Sequence, residues 1–150
     1  MAVLSPNLEA AMGRVATTLS VANALDLVRA TRGEIDAADV RSVTLDGVLV
    51  DTGATYLSLP ADLVARLDLL PLWDVSVGTA AGTRPARVLG SAVLTVMGRR
   101  ATVDVLELPA GVPPLLGVIP LEALGIEPDL KAQQLRLLSD GPTDTYVTAL

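Results

Sequence analysis

The sequence predicts a mostly-β chain, a barrel or sandwich of short strands with a few short helices. Three observations predict it. Segments that alternate apolar and polar residues recur, at 14–22, 73–79, 86–97 and 101–108. Glycine and proline turns punctuate the chain roughly every 8–12 residues. Helical spacing is confined to brief stretches, and helix does not alternate with strand as in a parallel α/β sheet.

Each element has its own signal. In 14–22, Val15, Thr17, Leu19 and Val21 fall on one side, a strand period. Asn23 reads as the N-cap of a short helix over 24–30 that ends near Gly33. Residues 36–39 are polar and read as a connector. Residues 42–50 read as a strand with Val43, Leu45 and Leu49 on one face, interrupted by the turn chemistry of 51–54. Pro60 suits the first position of a helix, and 61–70 has helical spacing through Leu63, Val64 and Leu67. Residues 73–79 alternate through Trp73, Val75 and Val77, with Trp73 read as core or pocket wall. The small residues 78–82 suit a mobile hairpin tip. Strands 86–97 and 101–108 are joined at 98–100, where Arg99 and Arg100 read as a solvated turn. A short helix is expected at 120–124 and a strand at 134–138.

The chain has 150 residues, a net charge of −6, and no cysteine, histidine or phenylalanine. The length argues for one domain, at 13–138, between a flexible tail at 1–12 and a segment at 139–150 that reads as a tail or a dimer-interface strand. With 51% hydrophobic residues and a mean hydropathy of +0.52, the chain is not disordered. Without cysteine there is no disulfide scaffold, thiol nucleophile or common zinc site. Without histidine, the Ser-His-Asp and Cys-His schemes fall away. An acidic chain with three aromatics suits nucleic acid poorly by charge and by stacking. No stretch suits a secretory signal or a bilayer span, so the expectation is a cytoplasmic protein without a membrane partner.

Chemistry concentrates at Val48-Leu49-Val50-Asp51-Thr52-Gly53-Ala54-Thr55, where a hydrophobic strand runs straight into a carboxylate, a hydroxyl and a glycine. An ionised Asp at the end of a buried strand is expensive unless compensated. The bland reading is an Asx turn, with Asp51 bonding its own backbone and Gly53 supplying positive φ. About 60 residues later comes Pro114-Leu115-Leu116-Gly117, then Val118-Ile119-Pro120-Leu121-Glu122-Ala123-Leu124-Gly125.

This pair of features resembles the retropepsin-like (clan AA) aspartic proteases, and the plain, Ala-rich sequence resembles their bacterial type. The resemblance covers roughly residues 42–138. It implies a retropepsin-like closed β-barrel or sandwich with one or two short helices, one lobe per chain, working as a homodimer on peptide or protein substrates without a metal or cofactor. Asp51 is then the catalytic carboxylate, Thr52 bonds across the dimer axis, and Gly53 admits the substrate backbone. Ala54, Thr55 and Leu57, together with Gly78, Thr79, Ala80, Ala81 and Gly82 of a flap and Val88, line the substrate. Leu57, Val88 and Leu116 build apolar pockets. Leu115, Leu116 and Gly117 pack against the loop and hold it rigid.

One carboxylate cannot serve as both acid and base, whereas two placed about 3 Å apart share one proton. The chain has a single Asp-Thr-Gly, so a complete site requires two chains. Viral members often carry acidic residues after the Ala and an Arg after the later Gly. Here those positions are Thr55, Tyr56 and Val118, and the charged pair is absent at both ends. The alternative is a weak or inactive dimer of the same fold that grips extended peptides as a scaffold. A phosphate loop of the actin-fold kinases needs a far longer chain. A haloacid-type phosphatase needs a second Asp where Gly53 stands.

Overall fold

A strand that becomes its own helix cap opens the described part of the chain, residues 14–138 of the computed structural model. Strand β1 (Val15–Asn23) ends on Asn23, whose side chain accepts the Asp26 N–H at 3.0 Å and starts helix α1 (Ala24–Thr31). The Asn23 amide also donates to the Leu67 carbonyl at 2.9 Å. A 3-10 turn (Ala37–Asp39) occupies the polar connector and leads to β2 (Ser42–Val50). Strand β3 (Leu57–Pro60) and helix α2 (Ala61–Arg66) follow. Strands β4 (Leu70–Thr79), β5 (Gly82–Val96) and β6 (Arg99–Leu108) form a meander. The two-residue strand β7 (Leu115–Leu116) precedes α3 (Val118–Leu124), and the hairpin of β8 (Ile126–Asp129) and β9 (Gln134–Leu137) closes the described chain.

The fold is mostly β, as the alternation predicts. Seven strands make one sheet in the order β1-β2-β7-β3-β6-β5-β4, and β1 also pairs with β5. That extra pairing, from Ser20 opposite Thr95 to Asn23 opposite Ala92, bends the sheet back round its core. A register shift between Leu89 and Ala92 divides the long β5. Its second half pairs with β1. Its first half runs out with β4 as a two-stranded arm. The core is aliphatic, with Val21, Leu57, Leu59, Leu67, Leu94, Val105, Leu116 and Leu124 fully buried.

Several sequence expectations are corrected. On β2 the fully buried residue is Val48 and not Leu49. Gly47 takes φ +65°, and the pairing slips from Thr17–Val48 to Leu19–Leu45. The extra residue inverts which side faces inward. The helix expected over 61–70 stops at Arg66, because Asp68 turns left-handed (φ +50°) and Leu70 enters β4. Pro60 lies just before that helix as its cap residue. The turn expected at 98–100 is made by Met97 and Gly98, both at positive φ as a type I′ hairpin requires. Arg99 is therefore a strand residue, fully buried, and donates to the Leu124 and Gly125 carbonyls at 3.1 and 2.6 Å. Trp73 is half exposed, since β4 is the outermost strand and has little to pack against. Helix α3 starts two residues before the expected 120. The expectations for 1–12 and 139–150 lie outside the described residues.

Candidate active site

Asp51 follows directly on β2, where β7 crosses it. Leu49 and Val50 pair in parallel with Leu115 and Leu116, and the Asp51 N–H donates to the Leu116 carbonyl at 2.9 Å. On its other side β7 pairs antiparallel with β3, Leu57 opposite Leu116 and Ser58 opposite Leu115. The strands on either side of the Asp51-Thr52-Gly53 loop are thus both fastened to one dipeptide. This is why two short motifs, about 60 residues apart in sequence, form one unit.

Within the loop, the Gly53 N–H donates to Asp51 Oδ1 at 2.9 Å, and the Ala54 N–H donates to the Asp51 carbonyl at 3.0 Å. The Asx turn of the bland reading is therefore present. Its stated reason is corrected: Gly53 is not at positive φ. A Cβ there would instead stand 3.1 Å from Asp51 Oδ1, so glycine keeps the carboxylate uncrowded. Asp51 and Thr52 are exposed. Asp51 Oδ2 and the Thr52 hydroxyl make no hydrogen bond among the described residues, and so are open to an outside partner.

Helix α3 braces the loop from below. The Val118 N–H donates to the Ala54 carbonyl at 2.8 Å and the Ile119 N–H to the Thr55 carbonyl at 3.0 Å. These first-turn donors have no partner within their own helix, and the loop carbonyls satisfy them. Gly117, buried just before α3, permits this approach: a Cβ would stand 2.7 Å from the Ala54 carbonyl oxygen. Two backbone hydrogen bonds therefore join the 54–55 segment to the start of α3.

A cleft of about 590 Å³ opens beside Asp51. Gly53, Ala54, Thr55 and Leu115 line it, as does Gly78 from the arm. Leu57, Val88 and Leu116 are fully buried and present no surface to it, which corrects their expected place as pocket walls. Their apolar character is core packing: Leu57 and Leu116 form the β3–β7 pairing, and Val88 lies opposite Leu106. Thr79, Ala80, Ala81 and Gly82 form the exposed tip of the β4–β5 arm and lie outside the lining of the cleft. That tip is ordered by its own bonds, from Thr79 Oγ1 to the Gly82 carbonyl at 2.6 Å and from the Ala81 N–H to Thr79 Oγ1 at 3.3 Å.

The sequence reading missed Tyr56, Ser58, Val75, Val77, Arg84 and Leu108, which also line the cleft. The alternation on 73–79 was the available signal, since it places Val75 and Val77 on one face. Arg84 is found only through the register, which sets it opposite Val77. Among the described residues no cluster of three acidic, histidine or cysteine side chains could hold a metal ion, and no helix is long and apolar enough to cross a membrane.

Residues 38–119 match the aspartyl protease family. Among solved structures, the EIAV protease complexed with the inhibitor HBY-793 matches with 24% identity and a TM-score of 0.42, over 52% of this chain and 75% of that one. No protein of curated function matches.

Proposed function

The chain belongs to the aspartyl protease family, and from that membership we propose that it is a homodimeric aspartic endopeptidase with one Asp51 from each chain at its centre. The observation that carries the reading is the exposed Asp51 carboxylate, held by Gly53 on a loop that α3 and β7 fix from beneath, at the mouth of a cleft. A single carboxylate so placed is half of the chemistry. The open Thr52 hydroxyl and the exposure of the whole tripeptide suit a two-fold axis passing through the loop.

In the dimer the two carboxylates share one proton. The ionised member takes a proton from water, and the resulting hydroxide equivalent attacks the amide carbon. The protonated member delivers its proton to the carbonyl oxygen. Collapse of the tetrahedral intermediate, with proton transfer to nitrogen, breaks the C–N bond and releases an acid and an amine. The β4–β5 arm would act as the flap over the bound peptide, its exposed tip (79–82) reaching substrate only on closure.

The test is incubation of the purified chain with a diverse peptide library from pH 3.5 to 7.5, read by mass spectrometry, with Asp51→Asn in parallel. Cleavage lost in the variant supports the reading. A wild-type dimer that cuts nothing at any pH refutes it in favour of a scaffold that binds peptides without cutting them.

A further inference from the structure

The cleft beside Asp51 has a second charged group that the family motifs do not explain. Arg84 lies on the inner face of the β4–β5 arm, opposite Val77 and half-buried. It lines the cleft together with Val75, Val77, Leu108 and Leu115. Only Asp51 and Arg84 are charged among the lining residues.

The Arg84 guanidinium makes no hydrogen bond or ion pair among the described residues. Its neighbour Arg87 shows the contrast: that guanidinium is engaged by Glu107 through two bonds of 3.0 Å. A guanidinium carries five donors in a rigid fork matched to a carboxylate, and leaving them unanswered is costly once a ligand excludes water. The net charge of −6 works against a ligand acidic along its whole length, so a single acidic side chain suits this cleft better than a run of them.

The backbone beside Arg84 also suits a peptide. β4 is the edge of the sheet, so one side of the arm has unpaired main-chain groups to which an extended chain can add as a strand. A peptide so placed would lay apolar side chains against Val75, Val77 and Leu108.

We propose that Arg84 is a specificity-determining residue that reads an acidic side chain of the bound peptide, so that preferred substrates combine apolar residues at the centre with a glutamate or aspartate beside them. The inference rests on the cleft being a peptide site, as proposed above. It does not require that the peptide be cut.

The test uses acetylated nonapeptides with a central Leu-Leu pair in a serine background. Glutamate is walked through the flanking positions, and every peptide has a glutamine twin. Cleavage is compared in the wild type, Arg84→Met, Arg84→Lys and Arg84→Glu. Binding of the same fluorescently labelled pairs is measured on the full chain carrying Asp51→Asn, with and without Arg84→Met.

At one flanking position the glutamate peptide should lead its twin by about tenfold in kcat/KM and in affinity, as expected of a charge-assisted bidentate pair. The lead should shrink with added salt, collapse to about one in Arg84→Met, persist in part in Arg84→Lys, and reverse in favour of the glutamine twin in Arg84→Glu. Cleavage without any glutamate preference, or with one that Arg84→Met leaves intact, overturns the role of Arg84 and leaves the peptidase standing. Binding discrimination without cleavage supports Arg84 while refuting the peptidase. Absence of both cleavage and binding refutes both.

Discussion

Gly117 lies so close beneath the Ala54 carbonyl that a Cβ added to it would stand 2.7 Å from that oxygen, and 2.8 Å from the carbonyl carbon of Thr55. Both neighbours are backbone, and α3 holds them through its first N–H groups. No flexible side chain is present to give way. Gly117→Ala must therefore push the loop off its support. The expected cost is about 2–4 kcal/mol, read as a lower urea midpoint, because overpacking against backbone is relieved only by moving backbone. Peptidase activity should fall more than the folded fraction does, since the Asp51 carboxylate is displaced even in chains that fold.

Asp51→Asn should behave in the opposite way. The side-chain amide oxygen of Asn can still accept the Gly53 N–H, and the position is exposed. Stability should stay within about 0.5 kcal/mol of the wild type. Cleavage should fall by at least about 10³-fold, because the proton acceptor is gone. Asp51→Ala loses the turn as well, so only that variant should show a lower thermal midpoint.

If two chains share the site as proposed, an inactive chain poisons an active one. Wild-type chain mixed and equilibrated with a threefold excess of Asp51→Asn should keep about a quarter of its activity, if a dimer forms at random and needs both carboxylates. Activity unchanged by the mixing, at a concentration where sedimentation shows exchange, would mean that each chain works alone.

Acid stability turns on Asp26. Its buried carboxylate is held below the usual 3.8 mainly by the side-chain hydrogen bonds of Arg41, against the opposing effect of burial. Those bonds are 2.9 and 3.0 Å, and the Arg41 backbone N–H adds another at 3.0 Å. A carboxyl group with a depressed value in the folded state takes up its proton first in the unfolded chain. The stabilisation is therefore complete above pH 3.8 and is lost as pH falls below it through the folded value. Denaturant midpoints measured from pH 7 to pH 2 should drop in that lower range. Asp26→Asn should flatten the drop and cost about 1–3 kcal/mol at pH 7, where its hydrogen bonds with Arg41 are weakened.

Arg99 has a structural task at the other end of α3. Its guanidinium answers the carbonyls of Leu124 and Gly125, where the helix ends in a left-handed glycine (Gly125, φ +66°). Arg99→Met leaves those acceptors without this donor, and should cost about 2–4 kcal/mol by urea denaturation. Arg100→Met, one residue along on an exposed position, should cost less than about 0.5 kcal/mol.

Much of this was legible in the sequence because it is local. Alternation marked β1, β4, β5 and β6, and the Asn23 cap is a matter of one side chain and a neighbouring N–H. The two motifs around Asp51 and Leu116 were legible for the same reason, since each is a few consecutive residues with unusual chemistry. Leu57, Val88, Trp73 and Arg99 were misread because hydrophobicity or charge does not say which surface a residue faces. That depends on register and on the neighbouring strand. Val88 is covered and Trp73 is not, because one lies inside the meander and the other on its outermost strand.

The sequence alone determined the strand-rich character of the chain, the absence of thiol and imidazole chemistry, and the identity of the one carboxylate set in an Asp-Thr-Gly. Composition and short-range pattern suffice for those. Only the tertiary structure decided that β7 fastens both sides of the Asp51 loop, that Gly117 is glycine because backbone passes beneath backbone, and that Arg84 shares a cleft with Asp51. Each joins residues at least 30 positions apart, and such contacts are chosen by how strands pair round a common core, which no local pattern encodes.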